Sequence, residues 1–312
     1  MPEYTTTNSN PFVDMSHRVW AWEIPVYLFL GGLVAGMMVI SGYFLLTGRW
    51  RNPRSFGYAL PVWSLVLLSL GMLALFLDLE HKLYVWRLYL TFEVTSPMSW
   101  GSWILLLVYP ALLANLFLAP PERLRDRFPR LAEVSNRLQA LPSAVTAIAV
   151  VNIALGIMVG IYTGILLSSL GARPLWSSGL LGPLFLVSGL STAAALVHLL
   201  TKEPEESAFA VRADIGLLVT ELLFIALFLI GLMNASKVHQ EAASMLLGGP
   251  FTAVFWVLVV GLGVLVPIVI QSLAVARRIG HTPVAPLLVI AGGLVFRFVM
   301  VNAGQLSHWT PT

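Results

Sequence analysis

The chain is dominated by eight long apolar runs separated by shorter polar connections. Each run reaches the roughly 20 residues that a helix needs to cross about 30 Å of hydrocarbon. Backbone groups in lipid need internal partners, and the runs lack the alternation of barrel strands, so they are expected to be helical. The pattern therefore predicts an all-α integral membrane protein with eight transmembrane helices. The predicted spans are residues 24–47, 57–77, 98–118, 144–168, 179–200, 212–233, 251–275 and 284–305.

No stretch of the chain has the length and polarity of a separate soluble domain. The longest connections are residues 78–97 and 119–143. We therefore expect a single membrane domain over residues 1–312, made of a first four-helix bundle at 24–168 and a second at 179–305.

Composition supports a membrane location. Hydrophobic residues make up 58% of the chain and charged residues only 11%, whereas soluble domains carry about a quarter charged residues. Mean hydropathy is +0.84. The absence of cysteine excludes disulfides, thiolate-bound iron–sulfur clusters and cysteine nucleophiles in this chain. The polar first 20 residues lack a basic region followed by an apolar core, so no cleavable signal peptide is expected.

The net charge of +3 reflects membrane orientation better than nucleic-acid binding, because the basic residues are unevenly distributed. An even number of spans places both termini on one side, and the more basic side is usually cytoplasmic. Twelve basic residues lie in the connections between spans 1–2, 3–4, 5–6 and 7–8: Arg49, Arg51, Arg54, Arg123, Arg125, Arg127, Arg130, Arg137, Lys202, Arg212, Arg277 and Arg278. Five lie on the other side: Arg18, Lys82, Arg87, Arg173 and Lys237. Both termini are therefore expected on the non-cytoplasmic side of a cytoplasmic (inner) membrane, with multiple passes.

The connection at 78–101 interleaves charges with Tyr and Trp, which is typical of a membrane–water interface. Pro97 suits a first helical turn, and Ser96 is expected to cap the helix that follows. A polar loop joining two membrane helices is the simpler interpretation of the same stretch.

Four polar side chains are expected in one layer near the outer ends of the spans. Glu23 precedes the first span and Tyr27 follows it by one helical turn, while Asp78 ends the second span. Tyr162 lies about 9 Å below the outer end of the fourth span, at 1.5 Å per residue. If these helices are neighbours, two carboxyls and two phenols converge.

That set suits a quinone. Phenol hydroxyls can hydrogen-bond the carbonyl oxygens, and partly buried carboxyls can exchange protons. We therefore assign Tyr162, Asp78 and Glu23 as candidate catalytic residues and Tyr27, Tyr162, Asp78 and Ser96 as candidate quinone contacts. An interfacial tyrosine and a helix-end charge facing water are the alternatives for Tyr27 and Asp78.

The second half of the chain carries its own ionisable residues at membrane depth, where each is a functional candidate. Asp214 and Glu221 lie two turns apart in the sixth span, and Arg297 lies deep in the eighth. A Glu221–Arg297 pair is either structural or part of a proton relay with Asp214.

The six histidines lie at span ends or in connections, and none is placed for bis-histidine haem ligation. Haem is therefore not expected in this chain, and neither is a metal site. The histidines are His17, His81, His198, His239, His281 and His308.

Five motifs, in order along nearly the whole chain, resemble the NrfD-like, or polysulfide reductase membrane-subunit (PsrC-like), family. They are WAWEIPVYLFLGG at 20–32, TSPMSWG at 95–101, YTG at 162–164, GPLFLVSGLST at 182–192 and AGQL at 303–306. The resemblance implies an eight-helix subunit that exchanges electrons with menaquinone or ubiquinone. It also implies a four-cluster ferredoxin-like iron–sulfur partner, together with a molybdopterin catalytic subunit or a multihaem cytochrome.

The resemblance further implies a quinone pocket in the first four helices, with Tyr162 as the tyrosine that bonds the carbonyl. Some family members carry a histidine near the start of the first helix, where this chain has Glu23 and Tyr27. Asp214 and Glu221 sit in a pattern similar to the family's sixth helix, which implies a proton relay.

Two other functions compete with a quinone-reactive anchor. A secondary transporter would show repeated halves with paired helix breaks, and no convincing repeat is present. A passive membrane anchor would bind partner subunits without a quinone site of its own. Co-purification with an iron–sulfur protein argues against the transporter, and a bound quinone argues against the passive anchor.

Overall fold

The computed structural model describes residues 20–52, 55–278, 280 and 282–309. Four residues used in the charge and histidine arguments, His17, Arg18, Arg54 and His281, lie outside the described residues, as does nearly all of the N-terminal segment.

Eight helices in the described part of the chain are long and apolar enough to cross a membrane, which confirms the predicted spans. They are α1 (Glu23–Thr47), α2 (Leu60–Asp78), α3 (Pro97–Leu118), α4 (Pro142–Ser168), α5 (Leu181–Leu200), α6 (Pro204–Met233), α7 (Val254–Val275) and α8 (Val284–Leu306).

Local sequence accounts for several helix boundaries. Proline occupies the first turn of α2, α3, α4 and α6, where its missing N–H costs nothing. Gly48 ends α1 in the left-handed conformation, with φ of 73°, and its N–H bonds the carbonyl of Leu45.

The largest difference from the predicted spans is at α6, which begins at Pro204 and not near residue 212. Hydropathy places the boundary where the apolar run starts, but the polar residues before it are also helical. Glu205 and Glu206 lie in the first turn, where negative charge complements the helix dipole.

Shorter helices lie in the connections. Arg87–Leu90 falls between α2 and α3, Glu122–Arg127 and Pro129–Gln139 between α3 and α4, and Lys237–Leu247 between α6 and α7. In α7, Val254–Leu265 is π-helical, and the N–H of Val266 bonds the carbonyl of Gly261 five residues earlier.

Helix α1 is the centre of the molecule. It packs against α2 and α4 on one side and against α5 and α8 on the other, and 83% of its most apolar window is buried, compared with 33% in α2. Gly189 of α5 lies against the backbone of α1, since a Cβ on Gly189 would come within 2.5 Å of the Gly32 carbonyl oxygen. Because α1 contacts both sets of helices, it lies between the two predicted bundles.

The ends of the chain meet beside the start of α1. The side-chain amide of Gln305 accepts from Trp20 N at 2.8 Å and donates to Trp20 O at 3.0 Å. Trp176 stacks on Trp20 with ring centroids 5.5 Å apart and donates to Met300 O at 2.8 Å. We call this end of the bundle the Glu23 end, and the opposite end, which carries the Arg-rich connections, the basic end.

Candidate functional site

The start of α1 places two polar side chains on one helical face at the Glu23 end. Glu23 is the first residue of the helix and Tyr27 follows one turn later. Tyr27 is only 4% exposed. Glu23 is partly buried, and its Oε2 is inaccessible and has no hydrogen-bond partner among the described residues. A carboxylate oxygen without a partner is costly, so this position is suited to a ligand or a proton.

Tyr162 of α4 lies next to Tyr27, and the two phenols interact directly. The Tyr162 ring rests on the backbone of Gly101 in α3, because a Cβ on Gly101 would lie 1.9 Å from the Tyr162 hydroxyl. Glycine at position 101 therefore determines where the Tyr162 hydroxyl lies.

Neither the Tyr27 nor the Tyr162 hydroxyl is hydrogen-bonded by another described residue, although both side chains are more than nine-tenths buried. Buried phenols normally find a partner. Both hydroxyls are therefore available to a ligand.

Asp78, the last residue of α2, completes the predicted layer. It lies close enough to Glu23 for the two carboxyls to interact, and Lys82 acts on it from the following connection. The structure thus brings together Glu23 and Asp78 as one pair, and Tyr27 and Tyr162 as another, across α1, α2 and α4. The predicted adjacency of these helices is correct.

Tyr89, in the short helix of the 78–97 connection, was not singled out by the sequence. Its phenol acts on Tyr27 from outside the spans, and burial together with neighbouring Tyr109 raises the pKa of Tyr89. Tyr109 is within 3.3 Å of the Ser69 hydroxyl. The only sequence signal for this extended phenol cluster was the high frequency of aromatics around residue 89.

Ser96 does not cap α3 as predicted, because its side chain makes no capping hydrogen bond. Ser99 organises this turn instead: its hydroxyl accepts from Glu93 N at 3.0 Å and donates to Thr91 O at 3.2 Å. Ser96 lines a cavity of about 490 Å³ formed by the 79–99 connection, together with His81. No contact joins Ser96 to the phenol pair among the described residues.

The second polar set lies between α5, α6 and α7. Asp214 is fully buried and accepts hydrogen bonds from the Ser191 hydroxyl and from Gln271 Nε2, each at 2.6 Å. Gln271 Oε1 has no partner in the described part of the molecule. Neither Ser191 nor Gln271 was predicted, because an uncharged polar residue in an apolar run gives little signal.

Arg297 and Glu221 are both buried, with 2% and 4% of their surfaces exposed. No direct ion pair joins them among the described residues. Ser188 lies between the two: Arg297 Nη1 donates to its hydroxyl at 3.3 Å, and the same hydroxyl interacts with Glu221. Arg297 Nη2 also donates to Phe185 O at 3.0 Å, and the guanidinium lies 4.0 Å from the Phe185 ring centroid. Because Ser188 precedes Ser191 by one turn of α5, the two acids of α6 contact a single face of α5.

Glu206 is a buried acid that hydropathy missed, because the predicted sixth span began after it. It is 2% exposed. It accepts hydrogen bonds from the Ser55 hydroxyl, from Phe56 N at 2.9 Å and from the Thr201 hydroxyl at 2.9 Å. Glu206 therefore fastens the connection between α1 and α2 to the start of α6.

Replacing Glu206 with alanine should destabilise the protein by about 2 kcal/mol, because three donors lose a charged acceptor. The midpoint of thermal unfolding in detergent measures this change. Glu205→Ala is the matched control, since Glu205 lies in the same first turn but is exposed. Equal midpoints for the two variants would show that Glu206 does not fasten the connection.

No group of three or more His, Asp or Glu side chains is placed to hold a metal ion within the described ranges. The described histidines are dispersed. His308 accepts from or donates to Arg173 Nη1 at 3.0 Å, and burial together with the Arg173 charge lowers the pKa of His308. His239 packs edge-on against Trp309.

The eight-helix fold, with a polar layer at one end, is that of a multi-pass membrane subunit. Comparison with known families defines it further. The chain belongs to the polysulphide reductase, NrfD family, whose model matches residues 9–308. The predicted family resemblance is therefore confirmed.

Named relatives match over most or nearly all of their length. The sequence is 28% identical to the polysulfide reductase C chain of Wolinella succinogenes, covering 92% of this protein and 94% of the relative. It is 30% identical to protein NrfD of Escherichia coli, over 93% and 96%. Identity is 25% to the selenate reductase C subunit of Mesobacillus selenatarsenatis, over 92% and 74%. Two of these relatives are thus named as components of reductases.

Proposed function

We propose that this chain is the quinone-reactive membrane subunit of an oxidoreductase complex. In this role it exchanges electrons between the membrane quinone pool and an iron–sulfur partner. The observation that carries the proposal is the convergence of two unpartnered buried phenols with two interacting carboxyls at the Glu23 end.

The residues present fit a quinone head group. Such a ligand needs hydrogen-bond donors for two carbonyl oxygens and groups that exchange protons. The Tyr27 and Tyr162 hydroxyls would supply the donors, and Glu23 and Asp78 the proton-exchanging groups. The quinone, menaquinone or ubiquinone, accepts or releases two electrons and two protons.

The chain's own contribution is positioning and proton exchange. Gly101 positions the Tyr162 ring, and α1 fixes Tyr27 one turn from Glu23. The inaccessible Glu23 Oε2 is suited to hold a proton. Asp78, at the end of α2, lies between Glu23 and the charged 78–97 connection, so it would pass protons to water.

The buried acids of α6 support a second part of the proposal, a proton relay. Asp214 and Glu221 would exchange protons through Ser191 and Ser188 of α5, with Arg297 stabilising the negative charge on Glu221. Glu206, Asp214 and Glu221 follow one another over about 22 Å of α6, at 1.5 Å per residue.

The remaining elements of the proposal concern placement and partners. The twelve-to-five distribution of basic residues supports a cytoplasmic (inner) membrane location with the Glu23 end on the non-cytoplasmic side. At that end a four-cluster ferredoxin-like subunit would dock, bound in turn to a molybdopterin catalytic subunit or a multihaem cytochrome. The reductase names of the relatives support such a complex.

Tyr162→Phe tests the proposed site. It should lower quinone-linked turnover of the complex by up to about tenfold, the value of one hydrogen bond, because it removes a hydroxyl and little volume. Asp78→Asn should lower turnover and alter its pH dependence, since it keeps shape but removes proton exchange. Tyr43→Phe, near the basic end, is the control and should be silent. Unchanged turnover in both test variants would rule out this site.

A further inference from the structure

Two adjoining cavities lie at the basic end of the bundle, away from the proposed quinone site. One has a volume of about 650 Å³ and the other about 350 Å³. They form where the connections α1–α2, α3–α4 and α5–α6 meet, and Tyr58 and Glu122 line both. Their volumes fall in the range of ligand sites.

The cavities carry a surplus of positive charge. Arg123 and Lys202 line the larger cavity, Arg51 and Arg125 line the smaller, and Glu122 is the one acidic residue on their described walls. The four cations are exposed, and none forms an ion pair with a described carboxylate. Each cavity thus presents two cations to an anionic ligand.

The walls hold part of this charge in fixed positions. The Arg51 guanidinium lies 5.6 Å from the ring centroid of Trp50, which is 3% exposed, and Arg125 Nη2 donates to Asn136 at 2.9 Å. Burial raises the pKa of Tyr58 even though Arg125 acts to lower it. The phenol therefore remains protonated and can donate between the two cavities.

The surface beside the cavities suits acyl chains. Trp63, in the first turn of α2, and Phe117, in the last turn of α3, are each 44% exposed at the level of the basic end. Helices α2 and α3 pack on each other much less than α2 packs on α1 or α3 packs on α4. A shallow apolar groove therefore runs from the cavities into the membrane.

We propose that these two cavities bind the head group of an anionic phospholipid that carries two phosphates, one in each cavity, with its acyl chains along the α2–α3 groove. Basic pockets at the ends of membrane helices suit such head groups. The paired cations favour two phosphates over one, and the groove favours a lipid over free phosphate. This site is independent of the proposed quinone chemistry.

Native mass spectrometry of the full-length protein in detergent tests the proposal, with cardiolipin, phosphatidylglycerol and phosphatidylcholine as titrants. Cardiolipin should bind more tightly than phosphatidylglycerol, and phosphatidylcholine should bind weakest. The double variant R123Q/K202Q should weaken cardiolipin binding by about thirtyfold, from the value of two surface charges. R277Q/R278Q is the control, because it removes two exposed cations from the same end that line neither cavity.

Three results would overturn the proposal. Equal weakening in the test and control variants would mean that cardiolipin responds to the overall charge of this end. Equal affinities for cardiolipin and phosphatidylglycerol would refute the two-phosphate head group. Displacement of cardiolipin by excess inorganic phosphate would point to free phosphate as the ligand. If R123Q/K202Q fails to fold, R51Q alone should weaken cardiolipin binding about fivefold, and no change would count against the proposal.

Discussion

Gly101→Ala should reduce quinone-linked turnover of the assembled complex by about a hundredfold. A Cβ at this position would lie 1.8 Å from Tyr162 Cζ, far inside contact distance. The obstructing atoms belong to the end of a side chain, so the helices can keep their packing while the Tyr162 ring moves aside. Displacing a reacting group by about 1 Å can cost about 10² in rate. Turnover measured with a soluble quinol analogue, alongside subunit co-purification, checks this.

Gly216→Ala is the matched control for Gly101→Ala. It adds the same methyl group to a membrane helix, but no described heavy atom lies within 4 Å of the added carbon. Its turnover should equal that of the unmodified protein. The pairing of Gly101 with Tyr162 would be refuted if Gly101→Ala assembled normally and turned over at full rate.

Arg297→Met should destabilise the protein by about 3 kcal/mol, the lower part of the range for removing one partner of a buried charge pair. The methionine leaves Glu221 buried at mid-helix without its nearby cation, and it removes the donors to Ser188 and Phe185 O. Thermal unfolding in detergent measures the loss. Arg212→Met, on an exposed position of α6, is the control and should be nearly neutral.

A second substitution separates charge coupling from lost packing. In the double variant Glu221→Gln/Arg297→Met, the unpaired carboxylate is gone, so part of the stability should return. We expect a coupling energy of about 1–2 kcal/mol, within the range for interacting neighbours. Strictly additive effects of the two substitutions would show that Glu221 and Arg297 act independently.

The spans could be predicted from sequence because the physics that forms them is local. A run of about 20 apolar residues must be helical in lipid whatever its neighbours are. The boundary of α6 was the exception. Its first turns contain Glu205, Glu206 and Arg212, which hydropathy reads as a connection although they continue the same helix.

The predicted polar layer depended on neighbours as well as depth. Counting residues along each span placed Glu23, Tyr27, Asp78 and Tyr162 at one level, and the structure brings them together as pairs. Ser96 was placed by a capping rule, and its hydroxyl makes no cap.

The unpredicted residues have in common that their significance comes from another helix. Gly101 matters because of Tyr162, and Ser188 because of Arg297. Glu206 matters because it receives hydrogen bonds from residues 55 and 56, about 150 positions away. A single sequence does not reveal such pairings, because helix packing in membranes is set by small-residue contacts with weak sequence signals.

The contact between Trp20 and Gln305 constrains how the protein is made. The residues that bind each other are 285 positions apart, so the start of α1 enters the membrane long before its partner is synthesised. Helix α1 must remain in lipid, or under the protection of the insertion machinery, until α5 and finally α8 arrive to enclose it. The protein is thus completed only with its last membrane helix, and quality control during biogenesis would act on an unclosed α1.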